Sequence, residues 1–183
     1  MRTSFAPIAA ALVLSACGGP HGDGQPVKAS PEQIARGKYL ARAADCAACH
    51  TASGGAPMAG GEPLASPYGT LVGSNITPDK QHGIGKWSAD DFYAALHDGV
   101  APGGHQLYPA MPYTSYRVMP REDADAIYAY LMQLPAVAQP SAEANLNFPY
   151  NMRFGVWFWR ALFLKDELPA ASQGQSAEWK RGR

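Results

Sequence analysis

The 183-residue sequence predicts a small, loop-rich, all-α fold with three main helices. Three segments combine a helix start signal with apolar residues at helical spacing, and no stretch shows the alternation typical of a strand ladder. The chain contains 19 Gly and 16 Pro, many of them in two long loops between the helices, 51–86 and 99–119. Loops of this length are uncommon in a compact domain unless a ligand organises them. We therefore expect a fold built around a bound group.

The first helix is predicted to begin after Ser30 and to run to about Ala44. Ser30 is a good N-cap residue, Pro31 suits the first helical position, and Gln33 can complete a capping box. Gly37 falls on the apolar face of this helix, where glycine lowers helix stability unless something packs closely against it. We therefore expect another helix to cross at Gly37.

The other two helices are also bounded by start and stop signals. Ser88 precedes the second helix, which has acidic residues in its first turn and ends at Asp98-Gly99. Pro120 opens the third helix and Pro135 stops it. The apolar residues of the third helix keep the spacing of one helical face: Ala124, Ile127, Tyr128, Leu131 and Leu134. This face is the candidate to cross the first helix.

The N-terminus has the pattern of an export signal. An apolar run, Phe5–Leu14, is too short to span a bilayer and follows a single Arg. The sequence Leu-Ser-Ala-Cys then resembles the bacterial lipoprotein signal, in which Cys17 is lipidated after removal of residues 1–16. A plain secretory peptide is the alternative, which would leave a soluble periplasmic protein. Residues 17–29 are rich in Gly and Pro and predict a flexible tether.

Charge and compartment restrict the possible functions. The 15 basic residues balance 15 acidic ones, so no basic excess indicates a nucleic-acid partner. Either kind of signal exports the chain to an oxidising compartment, where free thiols do not persist. We expect the protein to face the periplasm, anchored to a membrane through the lipid on Cys17.

Cys46, Cys49 and His50 form a Cys-x-x-Cys-His cluster. A structural zinc site needs four ligands, usually two pairs, and the only other cysteine is Cys17. A thioredoxin-like disulfide would need strand–helix–strand surroundings, whereas helix and loop flank this cluster. Cys-x-x-Cys-His is also the attachment signature of c-type haem, with two thiols one helical turn apart for the porphyrin and a histidine for the iron. We predict one covalently attached haem c per chain.

The ligand on the other face of the iron decides between electron transfer and chemistry, because Met/His ligation closes the iron and raises its potential. Met111 is the leading candidate, since it lies in a proline-stiffened loop just before the third helix. The alternatives are that Met111 only fills the core, and that Met119 or His105 binds the iron. An exchangeable sixth site would instead indicate a haem enzyme or a gas sensor.

Residues 30–134 resemble a class I cytochrome c domain. The phrases that carry the resemblance are "GKYLARAADCAACHT", "SPYGTLVGSNITPD", "GIGKWSADDFYAALHDGV", "LYPAMPYTSY" and "DADAIYAYLMQLP". They are most similar to the first haem domain in the multi-haem cytochrome c subunit of bacterial membrane-bound alcohol, aldehyde and gluconate dehydrogenases.

The resemblance implies that Cys46 and Cys49 attach haem, with His50 as proximal and Met111 as distal ligand. It also implies that three further residues lie near the haem propionates: Asn75, Thr77 and Trp87. A loop carbonyl should accept from the second nitrogen of His50, and the candidates lie near Pro57 and Pro63. The implied role is to carry electrons from a dehydrogenase to quinone, another cytochrome or an oxidase, without substrate chemistry of its own.

The expected cytochrome domain is 30–138, followed by a C-terminal extension, 139–183. The aromatic run 148–164 is predicted either to pack along the haem domain or to form a docking surface for a partner or a membrane. At the end, "SAEWKRGR" echoes "SPEQIARGK" of the first helix. This echo suggests a connector to a missing second haem domain, in a natural single-haem protein or in the remnant of a multi-haem subunit.

Overall fold

A computed structural model describes residues 28–164 and 174–181 of the chain. The predicted signal peptide, Cys17 and most of the tether lie outside these residues. The helices are α1 Pro31–Ala43, α2 Cys46–His50, α3 Ala89–Asp98, α4 Tyr113–Tyr116, α5 Arg121–Leu131, α6 Phe154–Phe163 and α7 Ala177–Arg181. The strands are β1 Pro63–Ser66, β2 Gly69–Val72, β3 Val100–Ala101, β4 His105–Gln106 and β5 Asn145–Leu146. Helices therefore dominate the fold.

The three predicted helices are present as α1, α3 and α5, and the two serines predicted before α1 and α3 act as their N-caps. Ser30 Oγ accepts from the backbone N–H of Gln33 at 3.2 Å. Ser88 forms a complete capping box with Asp91, in which each side chain accepts from the other residue's backbone N–H. The third helix ends at Leu131, earlier than the apolar pattern suggested, although Leu134 still packs against the core.

The crossing of α1 and α5 at Gly37 is confirmed. A Cβ at Gly37 would collide with the backbone carbonyl oxygen of Ala126, so only glycine allows the two helices to come this close. Around the crossing, Ala41, Ala126 and Ile127 are almost completely buried. This contact forms the centre of the core and supports one wall of the site.

The expectation of an all-α fold without a strand ladder is only partly correct. β1 and β2 form an antiparallel hairpin, and β5 pairs with the other edge of β2 through Gly69 and Thr70. β3 and β4 form a second, two-residue hairpin. These strands are two to four residues long, too short for a period-two hydrophobic pattern to show in the sequence.

The C-terminal extension returns to the domain. Its β5 joins the small sheet, and α6 packs with Val156 buried while its other side stays open. Large apolar side chains are exposed on that open side, among them Trp157 at 55% and Leu162 at 71%. The extension therefore packs along the domain and also presents an apolar surface. Within the described ranges, no helix combines the length and hydropathy needed to cross a membrane.

Candidate functional site

The site is a cavity of about 830 Å³ between α2, β2, α3 and the loop before α4. This volume lies in the range of roughly 300–1,000 Å³ that is typical of small-molecule sites. Its wall is mainly apolar and includes Ile84, Phe92, Leu96, Ile127 and Leu131. Cys46, Cys49, His50, Trp87 and Met111 also line it. Five predicted site residues therefore meet around one cavity, although they span 66 positions of the sequence.

The two cysteines lie in α2, a single helical turn that starts anew after α1. The break is made by Asp45, whose φ of 53° lies in the left-handed region, a conformation that Asp tolerates better than most residues. Cys46 and Cys49 are three positions apart on this helix, so their side chains share a face. Neither thiol is in a disulfide, and burial raises the pKa of Cys46 to about 11. Because neither sulfur is in a disulfide, both are available for covalent attachment at the cavity wall.

The His50 ring is oriented by the backbone of Ser74. His50 Nδ1 lies 2.7 Å from the Ser74 carbonyl oxygen, and because a carbonyl can only accept, Nδ1 carries the proton. Burial lowers the pKa of His50 below its usual value, which favours the neutral ring. A neutral imidazole with Nδ1–H held by a carbonyl keeps Nε2 free to bind a metal. The prediction of a carbonyl partner is confirmed, but it is that of Ser74 and not one beside Pro57 or Pro63.

Gly73 explains how Ser74 reaches this position. A Cβ at Gly73 would collide with the carbonyl oxygen of Cys49, so the chain leaving β2 passes directly against α2. Gly73 also exchanges backbone hydrogen bonds with its surroundings, donating to Glu62 and accepting from Gly61. The sheet therefore fixes the backbone that orients His50.

Met111 lies in a turn on the cavity wall. Its N–H donates to the Tyr108 carbonyl at 3.0 Å, and its own carbonyl accepts from the Tyr113 N–H at 2.8 Å. Met119 also lines the cavity, whereas His105 is exposed on β4 and is not part of the lining. The assignment of Met111 as iron ligand stays a prediction, with Met119 as the alternative that the geometry retains.

The three residues predicted near the propionates have different surroundings. Trp87 lines the cavity and its carbonyl accepts from Tyr128. Asn75 and Thr77 are buried and bonded to each other, with Asn75 Oδ1 accepting from both the N–H and the hydroxyl of Thr77. Asn75 Nδ2 donates to the carbonyls of Val137 and Gln139. Asn75 and Thr77 are not among the cavity-lining residues; they tie the loop after β2 to residues 137 and 139, and their predicted role near the propionates stays a prediction.

Tyr116 is a site residue that the sequence analysis missed. Its hydroxyl donates to the Ala44 carbonyl at 2.7 Å, joining α4 to the end of α1 at the cavity wall. Burial is the main cause that raises the pKa of Tyr116 to about 12. The nearby phrase Tyr-Pro-Ala-Met-Pro-Tyr drew attention to the segment, but nothing in the sequence indicated this bond.

These residues fit a covalently attached haem. Two unpaired thiols, an oriented neutral imidazole and a thioether line one apolar cavity. Thiolate-rich metal centres fit less well, because no group of three or more His, Cys, Asp or Glu side chains suited to a metal ion occurs in the described part of the chain. An imidazole nitrogen and a thioether sulfur in one lining form a donor set that is chemically suited to haem iron.

Comparisons with known proteins agree with this geometry. The chain is 49% identical over 140 residues to the gluconate 2-dehydrogenase cytochrome c subunit of Pantoea cypripedii, covering 76% of this chain and 32% of that subunit. It is 41% identical over 161 residues to the fructose dehydrogenase cytochrome subunit of Gluconobacter japonicus, covering 86% of this chain and 33% of that subunit. It is 38% identical over 150 residues to a diheme cytochrome c-type protein of Cereibacter sphaeroides, covering 75% of this chain and 51% of that protein.

The chain spans about a third of the length of the two dehydrogenase subunits. A family model matches residues 34–135, more than half of the chain, and its description is cytochrome c. The match extends from α1 through α5 and contains both cysteines, His50 and Met111. The chain therefore belongs to the cytochrome c family.

Proposed function

We propose that the protein is a single-haem electron carrier that takes electrons from a dehydrogenase and passes them to the respiratory chain. The observation that carries the proposal is that His50 and Met111, 61 positions apart, line the same cavity as Cys46 and Cys49. A nitrogen and a sulfur ligand together would leave the iron no open position, which suits electron transfer better than catalysis.

Each residue has a distinct part in this function. The haem, when bound, supplies a one-electron iron couple. Cys46 and Cys49 would hold it covalently, His50 would offer Nε2, and Met111 would offer its sulfur. The Ser74 carbonyl keeps the imidazole in one tautomer and orientation. The mainly apolar wall would limit the contact of the bound haem with water, which is one of the means by which a protein sets the potential of such a centre.

The proposed donor is a dehydrogenase. The relatives include cytochrome subunits named for gluconate and fructose dehydrogenases, and this chain would play the corresponding electron-carrying part for an enzyme partner. The proposed acceptor is quinone, another cytochrome or an oxidase. Because the chain has no net charge, we expect docking to depend on short-range contacts more than on long-range electrostatic steering.

The proposed location is the periplasmic side of a membrane, held by lipid on Cys17. A mature chain with Cys17→Ser should lose membrane association while keeping its haem. Fractionation of cells into membrane and soluble periplasm would measure this. An equal membrane share for wild type and Cys17→Ser would contradict lipid anchoring and leave the haem assignment unaffected.

The decisive test of electron transfer is the sixth ligand. Oxidised wild-type protein should show the near-infrared iron–methionine band, and Met111→Ala should lose it and bind carbon monoxide readily when reduced. Met119→Ala is the matched control, because Met119 lines the same cavity, and it should keep the band. Ready binding of carbon monoxide by wild type would favour a haem enzyme or ligand sensor instead.

A further inference from the structure

The inner side of α6 lies on the loop that carries Met111. Arg153 Nη1 donates to the backbone carbonyl of Gln106 at 2.8 Å, and Arg160 Nη1 donates to the side-chain Oε1 of the same residue. The Arg153 guanidinium also stacks over the ring of Tyr108, 4.9 Å from its centroid. Arg153, the N-cap residue of α6, and Arg160 within the helix are therefore both bound to the segment that leads into Met111.

A second contact holds the other end of this segment. The Trp159 ring of α6 packs edge-on against the Tyr113 ring, with 6.4 Å between centroids. Tyr113 is completely buried and its N–H donates to the Met111 carbonyl. Contacts from α6 thus reach residue 106, residue 108 and residue 113, on both sides of Met111.

Beyond the β3–β4 hairpin, the backbone bonds around Met111 are local. Gln106 pairs with Val100 in that hairpin and Leu107 donates to Gly99, whereas Met111 donates to Tyr108 and accepts from Tyr113. Segments with few backbone bonds to the rest of the fold open locally at low free energy unless side chains hold them. The contacts from α6 supply this hold.

We propose that α6 is a strap that holds Met111 on the iron, with Arg153 and Arg160 as positioning residues. The proposal rests on the proposed function of Met111 as sixth ligand. A ligand from solution can bind the iron only in the minor state in which Met111 has moved away, so its apparent binding rate follows the population of that state. Releasing the strap at Arg160 or Gln106 raises this population without changing the cavity lining, whereas Arg153 also lines the cavity.

The experiment uses the holoprotein and compares carbon monoxide binding to the reduced iron in wild type, Arg160→Ala, Gln106→Ala and the double variant Arg153→Ala/Arg160→Ala. A hydrogen bond from a charged group shifts an equilibrium by about tenfold or more, so we expect Arg160→Ala to bind carbon monoxide about ten times faster than wild type. The double variant should bind faster still and weaken the near-infrared band. Arg160→Lys should restore part of the slow binding.

Arg36→Ala is the matched control. Arg36 of α1 donates to Asp123 Oδ1 of α5 at 2.6 Å. Like the Arg160 bond, this bond joins an arginine on a helix to another element, but it lies at the α1–α5 contact, away from the loop of Met111. Its variant should bind carbon monoxide at the wild-type rate. Equal acceleration in Arg36→Ala and Arg160→Ala would show general loosening of the fold and would overturn the strap.

The outcomes separate the two proposals. Wild-type protein that shows the band, together with strap variants that bind carbon monoxide at the wild-type rate, would refute the strap and leave Met111 as ligand. Wild-type protein without the band would refute the closed iron site. If the double variant does not fold, Gln106→Ala decides, because it removes the acceptor of Arg160 and leaves α6 unchanged.

Discussion

Replacing Gly37 with alanine tests the central contact of the fold. The new Cβ would overlap the carbonyl oxygen of Ala126, which is backbone inside α5 and cannot move alone. The two helices must therefore separate along a surface where Ala41, Ala126 and Ile127 are almost fully buried. Overpacking of this kind lowers the free energy of unfolding by about 3 kcal/mol, the upper end of its usual range. The higher helix propensity of alanine offsets about 1 kcal/mol of this loss. We expect a net loss of roughly 2 kcal/mol in the free energy of unfolding.

The assay is guanidinium unfolding of the holoprotein followed by tryptophan fluorescence. With a slope of about 3 kcal/mol/M, a loss of roughly 2 kcal/mol lowers the midpoint by about 0.7 M. Gly155→Ala is the matched control, because Gly155 is also helical and a Cβ there meets nothing within 4 Å. That variant should gain about 0.5–1 kcal/mol. A Gly37→Ala midpoint at or above that of wild type, with an unchanged slope, would refute the argument.

Three further predictions concern the cap of α3, the cavity-lining Tyr116 and Gly73, which packs against the Cys49 carbonyl. Ser88→Ala removes the hydroxyl that accepts from the Asp91 N–H at the start of α3. It should lower the free energy of unfolding by about 1 kcal/mol, measured by the same unfolding assay, and no change would mean that the cap is redundant. The folded pKa of Tyr116 is about 12 against 10.0 for the free side chain. As pH rises, Tyr116 therefore ionises first in the unfolded chain. This ionisation should lower the free energy of unfolding progressively between pH 10 and 12. Tyr116→Phe should flatten this alkaline loss, and an identical pH profile would contradict it. Gly73→Ala should push β2 away from α2 and disturb the His50–Ser74 bond, measured as an altered iron–imidazole signature in resonance Raman spectra; an unaltered signature would show that the backbone can yield.

Local signals predicted the parts of the structure that local forces determine. Ser30 and Ser88 marked the helix starts, and Gly37 marked the crossing with α5 because glycine inside a helix needs a reason in packing. The Cys-x-x-Cys-His cluster indicated the site because its chemistry is contained in five residues.

Interactions between distant backbone groups could not be predicted in this way. Ser74 acts through its carbonyl, which every residue possesses, so its side chain carries no signal. The pairing of Gly69 with Leu146 joins residues 77 positions apart, and β5 is only two residues long. α6 was missed as a helix because its residues are apolar nearly all round, so the sequence shows no polar face from which a helical period can be recognised.

The residues after 138 have a physical role in the haem domain even though the family model ends at residue 135. Ser141 Oγ accepts from the Asn75 N–H at 2.9 Å, and Asn75 in turn donates to the carbonyls of Val137 and Gln139. The extension also lines the cavity through Ala142, Ala144, Leu146 and Arg153. Because Ser74, which precedes Asn75, orients His50 while α6 contacts the loop of Met111, the extension supports the backbone on both sides of the proposed iron. A minimal domain ending at 138 would keep every predicted ligand and lose the contacts that hold two of them in place.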